Sequence, residues 1–269
     1  MRENSDSDTK VNAAEEVIDV AGIVDHAGAS GSTSKHEGFW TLRFRLLEWR
    51  RPGLPIEPSG LQVLQRMARE EMHLAKEKIR PCTAIHLRVR DIKGTISGRV
   101  EATLVEIVGP YLGDAELNAL VIKHQAPVYY EDEQFGIFLL DKRIKWYAGN
   151  AVWCAATISL HLNLEEAAMP TDQLDTAREL WASQDEWMGR VLDYAVTDML
   201  ETKNDYWLGD GEARLDSYKF KSRMILESIG ISEGGRFEFW FDDGDIFWGH
   251  SIYVDGNLVD GPTNAGFHG

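Results

Sequence analysis

Four side chains able to ligate a cation or move a proton fall within nine residues: Asp242, Asp243, Asp245 and His250. Calcium and magnesium take convergent oxygens, and Asp243-Gly244-Asp245 has the Asp-x-Asp spacing of a metal loop. A metal there would acidify a bound water for attack on an ester or phosphoester, the chemistry of a metal-dependent hydrolase. The pattern is incomplete. The position where a calcium hand starting at Asp242 needs glutamate holds Tyr253, and on a strand Asp242 and Asp243 point to opposite faces. The plainer reading has the Asp-Gly pairs capping their own turn, with His250 bonded to a nearby carbonyl or to Asp242. General acid–base work would need a carboxylate beside His250. Glu227, Glu238 and Asp243 are available, but no spacing selects one, and a metal site would need Glu227 or Asp141 folded within ligand distance of the hairpin. The chain has no G-x-S-x-G, H-E-x-x-H, phosphate loop or dinucleotide fingerprint, so no catalytic residue, resident metal or cofactor is assigned.

The elements that must position these residues follow from periodicity. In FEFWFDDGDIFWGH, Phe237, Phe239 and Phe241 alternate with Glu238, Trp240 and Asp242, then Ile246, Trp248 and His250 resume beyond Asp243-Gly244. Two period-2 runs around a D-D-G-D connection predict an antiparallel hairpin with one buried aromatic face and His250 on its second strand. Leu258-Val259 then offers a third strand. Upstream, Phe135–Gly149 and Ala151–Leu164 are expected to pair across a turn at Gly149-Asn150, with His161 a structural or surface histidine. One long helix, capped by Asp172 or Asp175 and striped with Leu180, Trp181, Trp187, Val191 and Met199, is the expected cover. After Asp216 comes a short helix containing Tyr218 and Phe220, then a strand from Ile225 to Ile229.

Residues 1–34 read as a flexible acidic tail with at most one docked segment around Val17–Ile23. Phe39–Trp49 alternates as a strand. Its Arg43 and Arg45, with Arg50 and Arg51, form the only dense basic cluster, read as a solvated face paired with surrounding carboxylates or as an anion site. A helix is predicted from Leu61 to Ile79, stopped by Pro81. Ala84–Ile92 and Val100–Val108 form a hairpin, and Asp114 caps a helix with Leu117, Leu120 and Val121 inward. The fold class is α+β, in two regions (35–126 and 127–269), each an antiparallel sheet built from hairpins and covered by helices.

The 269 residues carry 44 acidic and 28 basic side chains, a net charge of -16. Such a surface repels nucleic acid and anionic membranes, and suits either solubility or a basic protein partner. Residues 170–216, with twelve acids against four bases, form the acidic face where a basic protein would bind. No leader or long apolar run opens the chain, so a cytoplasmic location is expected. Cys82 and Cys154 lack metal-ligand spacing and read as buried free thiols.

A resemblance adds to this. Phe135, Gly136, Phe138, Leu140, Asp141, Arg143, Trp146 and Trp153, followed by Phe241, Asp243, Gly244, Phe247, Gly249, His250, Gly256 and Gly261, are similar to the pattern of a bacterial family catalogued as domain of unknown function 2262. The resemblance spans about residues 127–269, and Lys142 interrupts the family's Leu-Asp-Arg run. It implies no activity. The residues proposed to bind are Asp242, Asp243, Asp245, Trp240, Trp248, His250 and Arg143, with Trp181 an anchor if exposed. The favoured reading is a non-enzymatic protein-binding module, by analogy an immunity-type inhibitor of a basic toxin; the metal-dependent hydrolase is the alternative.

Overall fold

Leu42, Phe44 and Leu46 are buried while Arg43 and Arg45 between them are exposed, so β3 (Trp40–Arg50) has one apolar and one cationic face, as its alternation predicts. The computed structural model describes residues 16–33, 38–96, 98–164 and 169–269. The chain divides into two units, Met1–Ala126 and Pro127–Gly269.

In the first unit the order is β1 (Ile18–Val24), β2 (Ser30–Ser32), β3, β4 (Leu61–Met67), α1 (Arg69–Lys78), β5 (Ala84–Gly94), β6 (Val100–Pro110) and α2 (Ala115–Gln125). β1 pairs with β5 along one stretch and with β3 along another. The ring β1-β3-β4-β6-β5 therefore closes on itself, with β4–β6 its parallel pair. A five-stranded barrel with this connectivity and a helix between its third and fourth strands is an OB-type barrel. Gly22 lets β1 serve both neighbours, since a Cβ there would come within 2.8 Å of Glu48 O, Leu46 and Trp49. Val20, Val24, Leu87, Val89 and Leu61 fill the interior. The N-cap at Asp114 forms as expected: its carboxylate accepts Leu117 N–H at 3.0 Å and also pairs with Arg50. Burial pushes the Asp114 carboxyl up, but Arg50 and the helix N–H groups outweigh it and hold it below the usual range.

Two expectations for this unit need correction. The expected tail allowed at most one docked segment around Val17–Ile23; residues 18–24 are an integral strand, with Val20 and Val24 buried in the barrel interior and Ala21 and Ile23 buried with Leu117. Of the rest of the expected tail, Ser30–Ser32 forms β2, and residues 1–15 and 34 lie outside the described residues. Leu61–Met67 is a strand rather than the first turns of a helix. Leu61, Leu64 and Met67 fit helical spacing, but Leu61 and Val63 also fit period 2, and pairing on both sides decides for the strand.

The second unit comprises β7 (Tyr129–Asp132), β8 (Gly136–Asp141), β9 (Trp146–Trp153), β10 (Ala156–Asn163), α3 (Thr171–Ala182), α4 (Gln184–Tyr206), α5 (Ser217–Arg223), β11 (Ile225–Ser232), β12 (Arg236–Asp242), β13 (Ser251–Asn257) and β14 (Gly261–His268). Its eight strands form one sheet in the order β14-β13-β12-β11-β10-β9-β8-β7. All neighbours are antiparallel except β10 and β11, whose parallel pairing requires the long crossover that α3, α4 and α5 supply. The helices pack Leu174, Leu180, Trp187, Val191 and Met199 against Leu160, Leu162, Ile229, Phe237 and Phe239 on one sheet face. Among the described residues of this unit, no element covers the central strands on the other face.

Gly149 and Asn150 sit inside β9, opposite Leu160 and Ser159, and are not the expected turn. Gly149 is there for close approach: a Cβ would lie 2.8 Å from the Phe138 ring. The turn is at Cys154-Ala155, both with positive φ (44° and 69°), the conformation of a tight hairpin. The single long helix is two helices broken at Ser183, and no side-chain bond caps α3. Asp172 instead accepts Gly234 N–H at 2.7 Å, while Asp175 pairs with Arg178. The third strand of the meander is β14, after the turn that holds Leu258 and Val259. Cys82 is half-buried and Cys154 exposed, so neither is a buried thiol. No helix among the described residues is long and apolar enough to cross a membrane.

Candidate functional site

The acidic segment that opened the sequence argument folds as a loop. Residues 243–250 form no strand; they connect β12 to β13. Asp243 is its hub, buried, with Oδ1 accepting Asp245 N–H at 3.0 Å and Oδ2 accepting Phe247 N–H at 2.5 Å and Gly249 N–H at 3.2 Å. Asp242 caps Gly244 N–H at 2.9 Å. Gly244 has φ 51°, and a Cβ would meet Arg223 O at 2.5 Å, so only glycine fits. The loop drives Ile246 and Phe247 into the core, both fully buried, and leaves Trp248 exposed. His250 Nδ1 contacts Phe247 O at 2.7 Å, which places His250 in the loop and not on the second strand.

A second anchor comes from α4. Lys203, fully buried, donates to Trp207 O at 2.6 Å and to Glu212 at 2.8 Å. That fixes Trp207, whose ring lies 4.9 Å from Trp248, 5.5 Å from His250 and 4.9 Å from Phe267. The Lys203 hydrogen bond, then Gly209 N–H, hold Glu212 below the usual carboxylate range. The Asp243 carboxylate is thus saturated by backbone donors, and Asp242 faces its own turn. Among the described residues, no group of three or more His, Cys, Asp and Glu side chains is placed to hold a metal ion. This argues against the hydrolase alternative. Glu227 sits at a register shift of β11, and Asp141 and Arg143 bond to each other in the β8–β9 turn. Trp181 turns inward, donating to Val152 O at 2.8 Å and packing on Trp153 at 4.7 Å.

The uncovered sheet face carries a different constellation. Glu238 on β12 stands directly opposite Asp255 on β13, and opposite Gly230 on β11. Like charges facing each other across strands destabilise a sheet unless a cation joins them. Among the described residues, no basic side chain lies within ion-pair distance of Glu238, and Asp255 accepts only Asn264 Nδ2 at 2.8 Å. The missing side chain at Gly230 opens a cleft of about 250 Å³ whose lining includes Trp146, His161, Asn163, Arg236, Glu238 and Asp255. His161 and Trp146 lie 5.6 Å apart, and burial pushes the His161 imidazole down from its ordinary value, keeping it neutral. Next along the same strands, Trp240 and Tyr253 pair at 5.4 Å. Carboxylates between aromatic walls beside a neutral histidine suit an organic cation.

Of the residues singled out from sequence, Asp242, Asp243, Asp245, Trp248 and His250 share the loop, Trp240 lies on the open face, and Arg143 is in a separate turn. Asp255 is not among the residues singled out from sequence, and its pairing with Glu238 was missed. Both lie in the polar phase of their strands, but a two-residue turn at Asp243-Gly244 would set Glu238 opposite Gly249 instead.

Residues 7–123 match a domain of unknown function (DUF7021). No curated protein matches the sequence. Residues 132–267, half of the chain, match a family described as an uncharacterized protein conserved in bacteria (DUF2262), and they contain the Asp243 loop, the aromatic cluster and the open sheet face. The chain belongs to that bacterial family.

Proposed function

We propose that the protein is a non-enzymatic binding module whose second unit takes a cationic side chain of a basic protein in the cleft of its open sheet face. The observation that carries this is the Glu238/Asp255 pair, two facing carboxylates beside aromatic rings. An arginine or lysine entering there would relieve their repulsion and lie against Trp146. The excess of acids in residues 127–269, 26 against 11 bases, supports the same partner by raising the rate of encounter. An immunity-type inhibitor that neutralises a basic toxin is the specific form this reading takes. A nona-arginine peptide titrated into the full chain, followed by tryptophan fluorescence, tests it. Glu238→Gln and Asp255→Asn are each expected to weaken binding about fivefold, and Gly230→Leu to abolish it by filling the cleft. Binding that none of the three changes would contradict the assignment.

A further inference from the structure

The outer face of the barrel holds the opposite chemistry. Across its strands Arg43 lies opposite Leu64, Leu64 beside Thr103, and Thr103 opposite Arg90, while Arg66 faces Thr41 in the next row. These residues line a cleft of about 560 Å³. A smaller one of about 200 Å³, with Arg45, Gly60 and Arg99 in its walls, lies on the same strands. Among the described residues, no carboxylate comes within ion-pair distance of Arg43, Arg45, Arg66 or Arg99. By contrast, Arg50 is paired with Asp114 and Glu116, and Arg88 with Glu106 and Asp19. The Arg66 guanidinium instead stands 4.7 Å over the Phe39 ring, its plane supported by an aromatic.

We infer that this face binds single-stranded nucleic acid. Arg43 and Arg45, two apart on one strand, stand about 6.8 Å from each other, a step that successive phosphates of an extended strand can match. Leu64, Thr41 and Thr103 leave uncharged floor between the guanidinium groups, on which bases can lie, and planar guanidinium groups stack on bases. The same face of OB-type barrels is where oligonucleotides or oligosaccharides bind. Four arginines with no carboxylate in ion-pair range among the described residues select the polyanion over a neutral sugar. Asp91, against Arg90 at 3.7 Å and accepting from Thr103 at 3.3 Å, and Glu101, beside Gln62 in the row of Arg45, are carboxylates on this face. The expectation of no nucleic-acid partner came from the charge of the whole chain. Residues 1–126 alone carry 17 basic and 18 acidic side chains, and the barrel face is cationic.

Fluorescence anisotropy of the full chain with labelled 15-mer oligo-dT and oligo-U, from 50 to 200 mM salt, tests this. Single-strand binding loses roughly 0.7 in log K per phosphate contact for each decade of salt, so four contacts mean about fifty-fold weaker binding over that range. Arg43→Ala and Arg66→Ala should each lower the slope by about 0.7. Arg66→Lys should keep the slope, which separates lost charge from lost fold, and Arg88→Ala should leave affinity within about twofold. No binding at 50 mM salt, or a slope untouched by Arg43→Ala and Arg66→Ala, would overturn the inference. So would a deca-glutamate peptide that binds as tightly as the oligonucleotides, because the face would then be a general anion site.

Discussion

The two units leave opposite charges unmatched on their open sheet faces. In the barrel, Arg50 and Arg88 hold elements together through Asp114, Glu116, Asp19 and Glu106, while Arg43, Arg45 and Arg66 are exposed with no carboxylate within ion-pair distance among the described residues. In the second unit, Arg178, Lys203, Arg214, Lys221 and Arg223 are all engaged by acids, and it is Glu238 and Asp255 that stand together with no base in ion-pair range among the described residues. A net charge of -16 averages 17 bases against 18 acids in one unit with 11 against 26 in the other. Charge summed over a chain with two units therefore says little about what either surface attracts.

Variants can break this comparison one unit at a time, with hydrogen exchange reading each unit's stability separately. The largest effect is expected from Asp243→Ala. Three backbone N–H groups of the loop lose their acceptor, and residues 127–269 should lose about 3 kcal/mol or more while the barrel's exchange stays unchanged. Glu212→Gln follows closely, since it strips the countercharge from fully buried Lys203, at a cost of about 3 kcal/mol in the second unit. Glu212 is more acidic folded than unfolded, so its stabilisation is present above the ordinary carboxylate range and is lost as pH falls through and below it. The variant should flatten that acid limb in pH-dependent urea melts. Asp114→Ala removes a helix cap in the barrel, for about 1–2 kcal/mol there and nothing in the second unit. Gly230→Val should be the mildest, within about 1 kcal/mol, because its Cβ meets only ordinary contacts near 3.9 Å. It should still close the cleft to the arginine peptide.

What the sequence revealed depended on how local the cause was. β3, α2 with its Asp114 cap, the β5–β6 hairpin and the α5–β11 transition follow from alternation or capping within a few residues, and each forms where expected. β4 was misread because its strand character comes from β6, nearly forty residues away, whereas its helical spacing is local. Gly149-Asn150 looked like a turn because glycine serves both positive φ and close packing, and here Phe138 uses the second. At the site, Ile246, Trp248 and His250 imitate a strand, yet Trp248 has φ 59° and Asp245 φ 63°, a conformation imposed by Asp243 accepting from the loop's own backbone. That concealed the register joining Glu238 to Asp255. The arginine cluster was visible from the start. Its freedom from carboxylates was not, since Arg50 is in a pair and Arg66 arrives from another strand.

The most direct test of the central claim is a backbone amide chemical-shift map of the full chain, recorded in separate titrations with nona-arginine and with oligo-dT. The account requires the peptide to perturb Gly230, Glu238 and Asp255 with their neighbours on β10 to β13, and the oligonucleotide to perturb Thr41 to Arg45 and Gln62 to Arg66. Both probes mapping to the same residues, or the peptide mapping to the 243–250 loop and leaving the open face unmoved, would contradict it.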